Sequence, residues 1–249
     1  MRKTFLATLC VAVLTGGQAA SEEFPSQATY LFYVQGALAG KSDIAFTTEG
    51  TAYVFASTTE VGLGGSRQSF SCRSEFDKNT LRPRFFRYEG TQDGKDFSGT
   101  VRFDADSAKS TRERSGLKTS SRVPWSDASF VFENYVPEHL AVLVRQLAAS
   151  GRDTQRLSVL LPSQMMLSPG LAAIESEVEI PTRPAPVVCK KYIVSLQNTS
   201  PFYLYLHPKQ NSLIYMDFPA NQTEVFLESA FGNEPKTRYK APSKPQSQD

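Results

Sequence analysis

Apolar and polar residues alternate with a period of two along most of this chain, and that period predicts β-strands. Val101 and Phe103 alternate with Thr100, Arg102 and Asp104. Leu157, Val159 and Leu161 alternate with Arg156, Ser158 and Leu160, and Tyr192, Val194 and Leu196 with Lys191, Ile193 and Ser195. Segments 29–35, 51–61, 68–76 and 84–91 read in the same way. Turn formers separate the runs: Glu49-Gly50, Asp77-Lys78-Asn79, Gln92-Asp93-Gly94 and the stretch 207–211. Asp-Gly is a strong hairpin signal because both residues accept positive φ. About ten strands are expected, several joined by short hairpins. Parallel pairs need a crossover, usually a helix, and no such crossover is expected here.

One helix is predicted, over 137–150. Pro137 suits the first helical position and Glu138 the positive end. Leu140, Leu143, Val144 and Leu147 form an apolar stripe at helical spacing, and Gly151 is a natural stop. The stripe asks for a sheet to lie against.

Two strands break the in–out rule. Phe202, Leu204 and Leu206 alternate with Tyr203, Tyr205 and His207, and Tyr30 and Phe32 alternate with Leu31 and Tyr33. Both faces are apolar or aromatic. That is expected where one face meets a helix and the other lines a cavity, and equally in a filled two-layer sandwich. The chain holds 17 Phe and 10 Tyr, an ample stock for either.

The first twenty residues change the picture of where the protein acts. Met1-Arg2-Lys3-Thr4 is a basic start, 5–14 is a short apolar run, and 15–21 is a small-residue exit. That order predicts a secretory signal peptide, residues 1–20. The run is shorter than the ~20 residues a spanning helix needs, so no transmembrane segment is expected after cleavage. The mature part divides into one β-rich domain, 21–232, and a polar, proline-punctuated tail, 233–249, expected to be disordered. Pro181 to Pro186 reads as an extended loop. A periplasmic or extracellular location follows as an expectation.

Charge excludes little else. Arg2 and Lys3 fall in the leader, leaving 25 basic and 25 acidic side chains. A balanced mature chain does not point to nucleic acid. Arg112, Arg114, Lys118 and Arg122 crowd one stretch with Glu113 among them. A solvated hairpin explains them, with an anionic surface such as lipid headgroups or glycan as the alternative. Cys72 and Cys189 survive cleavage, and in an exported chain they are a disulfide candidate. The bond would close a loop of over a hundred residues, worth roughly 4–5 kcal/mol. Two separately buried thiols are the alternative.

Chemical motifs are scarce. Gly36-Ala37-Leu38-Ala39-Gly40-Lys41-Ser42 is one residue short of a phosphate-binding loop and leads into a strand. His139 and His207 are the two histidines. No nucleophile elbow, zinc signature or metal-spaced cysteine pair occurs, so no catalytic residue, metal or cofactor is assigned. Asp104 with Asp106 and Glu175 with Glu177 would share strand faces, and solvated faces explain them. Asp217, set among Ile214, Tyr215, Met216 and Phe218, is a slightly better candidate. With His207 it makes the pair worth substituting if an enzyme were sought. Asn198-Thr199-Ser200 and Asn221-Gln222-Thr223 match the glycosylation pattern, but the short basic start has a bacterial character.

Softer features resemble a family. They are Gly36-x3-Gly40, the aromatic strand from Tyr53, and Leu81-Arg82-Pro83 before Phe85 and Tyr88. Ala185-Pro186-Val187-Val188-Cys189 and the closing strands from Phe202 to Phe218 complete the set. Together, over about Tyr30 to Glu228, they resemble a bacterial periplasmic or envelope family known as a domain of unknown function. The stretch 109–122 and the tail depart from it. The resemblance implies a strongly bent antiparallel sheet, similar to the half-open barrels of lipoprotein carriers, with a helix across the mouth. It transfers no active-site residue.

The expectation is therefore a mainly β protein, one large curved antiparallel sheet or half-open β-barrel with a single packed helix, a β-sandwich being the alternative. An exported, non-enzymatic binder of a hydrophobic or amphipathic ligand, a lipid or lipopeptide, suits it. Candidate lining residues are Tyr30, Phe32, Phe132, Leu143, Leu147, Tyr203 and Tyr205. The alternative is a structural or adaptor protein of the cell envelope acting through protein contacts.

Overall fold

The computed structural model describes residues 24–126, 129–197, 199–208, 210 and 212–239. The expected leader and the last ten residues of the expected tail lie outside them. Fifteen strands form one sheet, against the ten or so expected. The first eight are β1 (Gln27–Val34), β2 (Ala37–Glu49), β3 (Ala52–Leu63), β4 (Ser66–Asp77), β5 (Pro83–Gln92), β6 (Lys95–Phe103), β7 (Ser107–Arg114) and β8 (Leu117–Pro124). A short β9 (Ser129–Val131) leads into the helix α1 (Pro137–Ser150). Then follow β10 (Thr154–Leu161), β11 (Met166–Ile180), β12 (Val187–Leu196), β13 (Phe202–Leu206), β14 (Leu213–Phe218), β15 (Thr223–Leu227) and a one-turn α2 (Glu228–Phe231).

The order across the sheet is β8-β7-β6-β5-β4-β3-β2-β1-β15-β14-β13-β12-β11-β10-β9. Two antiparallel meanders thus meet where β1 pairs with β15, Tyr30 opposite Leu227. Hairpin turns follow the chemistry of the chain. Asp93 and Gly94 take φ of 52° and 74°, the mirror-image turn whose twist suits flanking strands. Gly40 lies inside β2, where a Cβ would meet the Glu60 carbonyl at 2.0 Å. Its role is close strand approach, as expected for a chain that is not a phosphate loop.

Register shifts at Phe32/Tyr33, Glu75/Phe76, Ile174/Ser176 and Tyr205/Leu206 interrupt the ladders. Such bulges bend strands and increase twist, and the sheet curls. Its two edge strands, β8 and β9, are joined by residues 125–128 alone. From Pro124 to Ser129 that connection reaches at most ~18 Å, so the edges lie near one another. Arg112 on β7 donates to the Ser163 carbonyl of the β10–β11 turn at 2.6 Å, across the gap.

The helix occupies the hollow of this curl. Pro137 opens it and Gly151, at φ 62°, closes it, its N–H pointing at the Ala148 carbonyl. The stripe Leu140, Leu143, Val144 and Leu147 is buried as expected. The first two turns go further: every residue from Pro137 to Val144 is buried, including Glu138 and His139. Over these two turns the helix has no solvent face, whereas its last turn carries exposed Ala149 and Ser150. Each large apolar side chain buried here contributes roughly 1.5–3 kcal/mol. One expectation is corrected: β9 and β10 are parallel, and α1 is the crossover between them. The three-residue β9 is too short to show a period, which hid the unit.

The doubly apolar strands also find their explanation. Phe32 on β1 faces the helix and Tyr135. On the convex side, Tyr33 and Phe226 pack edge to face at 5.7 Å, and Phe231 of α2 lies 5.0 Å from Phe226 and 6.2 Å from Tyr215. The segment after β15 folds back as a second layer. The expected tail begins within it: Tyr33 donates its hydroxyl to the Asn233 carbonyl at 3.3 Å.

Candidate ligand-binding site

The helix fills only part of the hollow. Beyond it, the inner faces of β4–β8 carry Phe70, Tyr88, Phe97, Arg112, Arg114 and Thr119, which with the β9–α1 loop line an open cavity of about 670 Å³. Alternation puts these residues on one face: Phe70 opposes Gly90, Tyr88 opposes Gly99, and Phe97 opposes Arg114. The two glycines make the wall possible. A Cβ at Gly99 would sit 2.4 Å from the Tyr88 ring, and one at Gly90 2.4 Å from the Phe70 Cβ. With no side chain at Gly99 the Tyr88 ring lies down on β6, and with none at Gly90 the backbone of β4 comes close to β5. Phe97 is 6.3 Å from Phe70 and 6.0 Å from Tyr88, and Tyr88 is 5.4 Å from Phe86. This aromatic series runs inward until Phe86 meets the His139 ring at 4.7 Å.

The opposite wall is the loop Phe132–Val136. Glu133 is buried there, accepting the Ser163 N–H at 2.6 Å and the Asn134 N–H at 3.0 Å, and so ties the loop to the β10–β11 turn. Burial raises its carboxyl above the ordinary range, the two N–H donors opposing that shift. Tyr135 has φ 60°, a left-handed conformation costly for a bulky residue. Its carbonyl accepts the Thr59 hydroxyl at 3.2 Å and its ring meets Phe32 edge-on at 5.6 Å, contacts that hold the strained turn. Asn134 and Tyr135 separate the large cavity from a second of about 80 Å³, lined by Phe32, Phe132, Leu140 and Met216. A third hollow of about 320 Å³ opens beside Phe132, Asn134 and Phe202. Burial pushes the Tyr88 phenol up to about 12, so it remains a neutral donor.

A polar cluster lies deeper, at the start of α1. Glu138 accepts the Ser57 hydroxyl at 2.8 Å, and Cys72 Sγ is 2.8 Å from the same hydroxyl. His139 Nε2 is 3.0 Å from the Ser74 hydroxyl. Adjacent helical residues thus meet different partners, as expected. Burial raises the Cys72 thiol well above its usual value and the Glu138 carboxyl above its own, and lowers His139 to about 3. A thiol held protonated is a poor nucleophile, and every member is almost wholly buried. The cluster locks α1 to β3 and β4.

Sequence-expected residues divide by face. Phe32 and Phe132 share the 80 Å³ cavity. Tyr30 is buried beside α1 and donates to the Leu213 carbonyl at 2.8 Å. Leu143 and Leu147 are packed into the core around the helix. Tyr203 and Tyr205 lie on the other face of β13: Tyr205 stacks near Tyr215 at 4.8 Å, and the Lys191 ammonium sits 4.0 Å over the Tyr203 ring. Period-two alternation cannot tell the concave from the convex side when both are covered. Phe70, Tyr88, Phe97 and Tyr135 are not among the expected lining residues, although strand-interior Gly90 and Gly99 beside aromatic positions carry a signal.

The Cys72–Cys189 pairing is corrected: both are free, buried thiols. They stand on β4 and β12, seven strands apart in the sheet order, and in separate core clusters. Asp217 is fully buried, accepting Arg238 Nη1 at 2.9 Å and the Tyr239 hydroxyl at 3.0 Å. Its pairing partner Tyr203 is four residues from His207, roughly 13 Å along the strand, so the two are not brought together. Among the described residues no group of three or more His, Cys, Asp or Glu is arranged to hold a metal, and no helix is long and apolar enough to cross a membrane.

Fold and cavity together define a curled antiparallel sheet wrapped on a central helix, with an aromatic hollow beside it. No protein-family profile matches the chain, and no curated protein matches it. Among solved structures it is similar to the crystal structure of a DUF1089 family protein from Pseudomonas aeruginosa. The two are 14% identical with a TM-score of 0.44, over 72% of this chain and 90% of that one.

Proposed function

We propose that this is an exported, non-enzymatic envelope protein that holds a hydrophobic or amphipathic ligand, a lipid or lipopeptide, in the concave face of its sheet. The observation that carries the reading is the aromatic cavity of about 670 Å³ between β4–β8 and the β9–α1 loop. Its size suits a small-molecule ligand, and its lining sets the rings of Phe70, Tyr88, Phe97 and Tyr135 among many polar and charged side chains, a mixture that suits an amphipathic molecule better than a purely apolar one. Within this reading Tyr30, Leu143 and Leu147 belong to the packed core around the helix, not to the cavity wall, and Phe32 and Phe132 stand behind the Asn134–Tyr135 partition. The resemblance to envelope half-barrels and the basic, apolar, small-residue order of residues 1–20 support the compartment.

The test is fluorescence of N-phenyl-1-naphthylamine, a dye that brightens in apolar sites, added to the chain from residue 21. Wild type is expected to enhance the dye saturably, and Phe97→Asp to weaken it at least tenfold with an unchanged melting temperature. No enhancement by wild type would overturn the reading. An adaptor role draws on one feature, the edge strand β8, whose outer side pairs with no other strand among the described residues. A photo-crosslinker at Ser120 that captures one envelope protein, with no dye bound, would move the conclusion there.

A further inference from the structure

Several outer-face cations of the β4–β8 region are neutralised by acids, although Arg67 forms no salt bridge among the described residues and Arg102 lies over the Phe85 ring at 5.5 Å. On the convex face, Arg73 pairs with Glu49 and Glu75, Arg84 with Asp77, Arg87 with Glu89 and Lys109 with Asp104. On the concave face, Arg112 and Arg114 stand two apart on β7. Arg112 Nε donates to the Thr119 hydroxyl at 3.1 Å and its Nη1 to the Ser163 carbonyl; Arg114 Nη2 donates to the Gln92 side-chain carbonyl at 3.2 Å. All three acceptors are neutral, and neither guanidinium forms a salt bridge among the described residues. Both cations are therefore oriented but not neutralised. A guanidinium carries five donors, so each keeps several for something else.

Their position relative to the rings is specific. Arg112 opposes Gly99, on which the Tyr88 ring lies, and Arg114 opposes Phe97. Lys95 lies in the same cavity lining. Two acids share it. Glu133 has both oxygens engaged by N–H groups of the far wall, and Glu113 lies between the arginines in sequence, where alternation turns it toward the convex face. An ordered pair of cations at one end of an aromatic surface matches a molecule with an anionic head and an apolar body.

We infer that the cavity's ligand is an anionic amphiphile whose carboxylate or phosphate head is clamped by Arg112 and Arg114 while its apolar part lies along Tyr88, Phe97, Phe70 and Tyr135. The inference rests on the binding function proposed above and specifies its ligand class.

The test is calorimetry, below their micelle concentrations, of three dodecyl amphiphiles with one chain and different heads: dodecanoate, dodecyl maltoside and dodecyltrimethylammonium. Dodecanoate is expected to bind at least tenfold more tightly than the other two, with the advantage shrinking as salt rises. Arg114→Gln, which gives up one bond to a surface glutamine, is expected to lower dodecanoate affinity about fivefold and leave dodecyl maltoside unchanged. Arg112→Lys is expected to retain part of the advantage, and Arg112→Gln with Arg114→Gln to abolish it. Equal binding of all three heads would overturn the inference and leave the apolar cavity standing. Binding of none would overturn both. Inorganic phosphate that competes fully with dodecanoate, with no gain from the chain, would mark a free-anion site and overturn the amphiphile.

Discussion

Glu138 and His139 are chain neighbours on α1, buried against different hydroxyls of β3 and β4, and their titrations oppose each other. His139 is neutral in the folded protein, its pKa lowered to about 3 by burial. Between that value and its ordinary 6.5 the unfolded chain takes up a proton and the folded one does not, so stability falls as pH falls, by up to about 1.4 kcal/mol per pH unit. Glu138 has a raised folded pKa, again from burial. From the ordinary 4.5 upward the folded protein keeps a proton the unfolded chain has lost, so this group's contribution falls as pH rises. Glu133 carries the same sign as Glu138. His139→Gln is expected to flatten or invert the acid-side slope, and Glu138→Gln to steepen the loss on acidification while raising stability at neutral pH. Urea midpoints of the three proteins between pH 4.5 and 6.5 check both. Parallel curves for wild type and both variants would mean that neither group titrates as its burial demands. At this scale the sequence was partly legible. It showed that the two side chains cannot face each other, but not that both are enclosed, because burial of a charged residue depends on what surrounds it.

Single elements here are shaped by what they lack. Gly90 on β5 and Gly99 on β6 give up strand propensity, the first for close approach of the β4 backbone and the second so that the Tyr88 ring can lie flat. Gly99→Val is expected to drive the Tyr88 ring into the cavity, cost about 1–3 kcal/mol as overpacking does, and reduce dye binding several-fold. Thermal unfolding and the dye titration read these separately. A stable variant with unchanged dye affinity would show that the ring does not form the wall. The helix α1 was legible from Pro137, its apolar stripe and Gly151. The all-round burial of its first two turns was not, because an amphipathic pattern is also what a helix lying on one sheet face would show.

The whole sheet is joined at its centre by its first and last strands. β1 and β15 pair in the middle of the sheet, and the chain after β15 crosses the convex face. Asp217 and Glu224 stand directly opposite one another on β14 and β15, both buried. Such a like-charge pair is destabilising by itself. Arg238 answers it, its guanidinium on Asp217 and its backbone N–H on Glu224 at 2.9 Å, with the Tyr215 hydroxyl on Glu224 at 2.7 Å. Asp217 in turn keeps the Arg238 guanidinium charged. The arginine side chain is 65% exposed, so solvent screening holds its worth to roughly 1–3 kcal/mol. Arg238→Ala is expected to lower the urea midpoint accordingly, and Asp217→Asn in that background to restore part of it. No loss in the single variant would mean the tail does not strap the sheet.

The mainly β character, most of the long strands, several hairpin turns, the bounds of α1 and the absence of familiar catalytic spacings were determined by the sequence alone, because each depends on residues two to four apart. Which face of a doubly apolar strand looks inward was decided only by tertiary structure. So were the separation of Cys72 from Cys189, the parallel β9–α1–β10 unit, and the meeting of Arg112 and Arg114 with Tyr88 and Phe97. These depend on how far the sheet curls and on what fills it, and curl accumulates over fifteen strands from bulges and close contacts that no local pattern records.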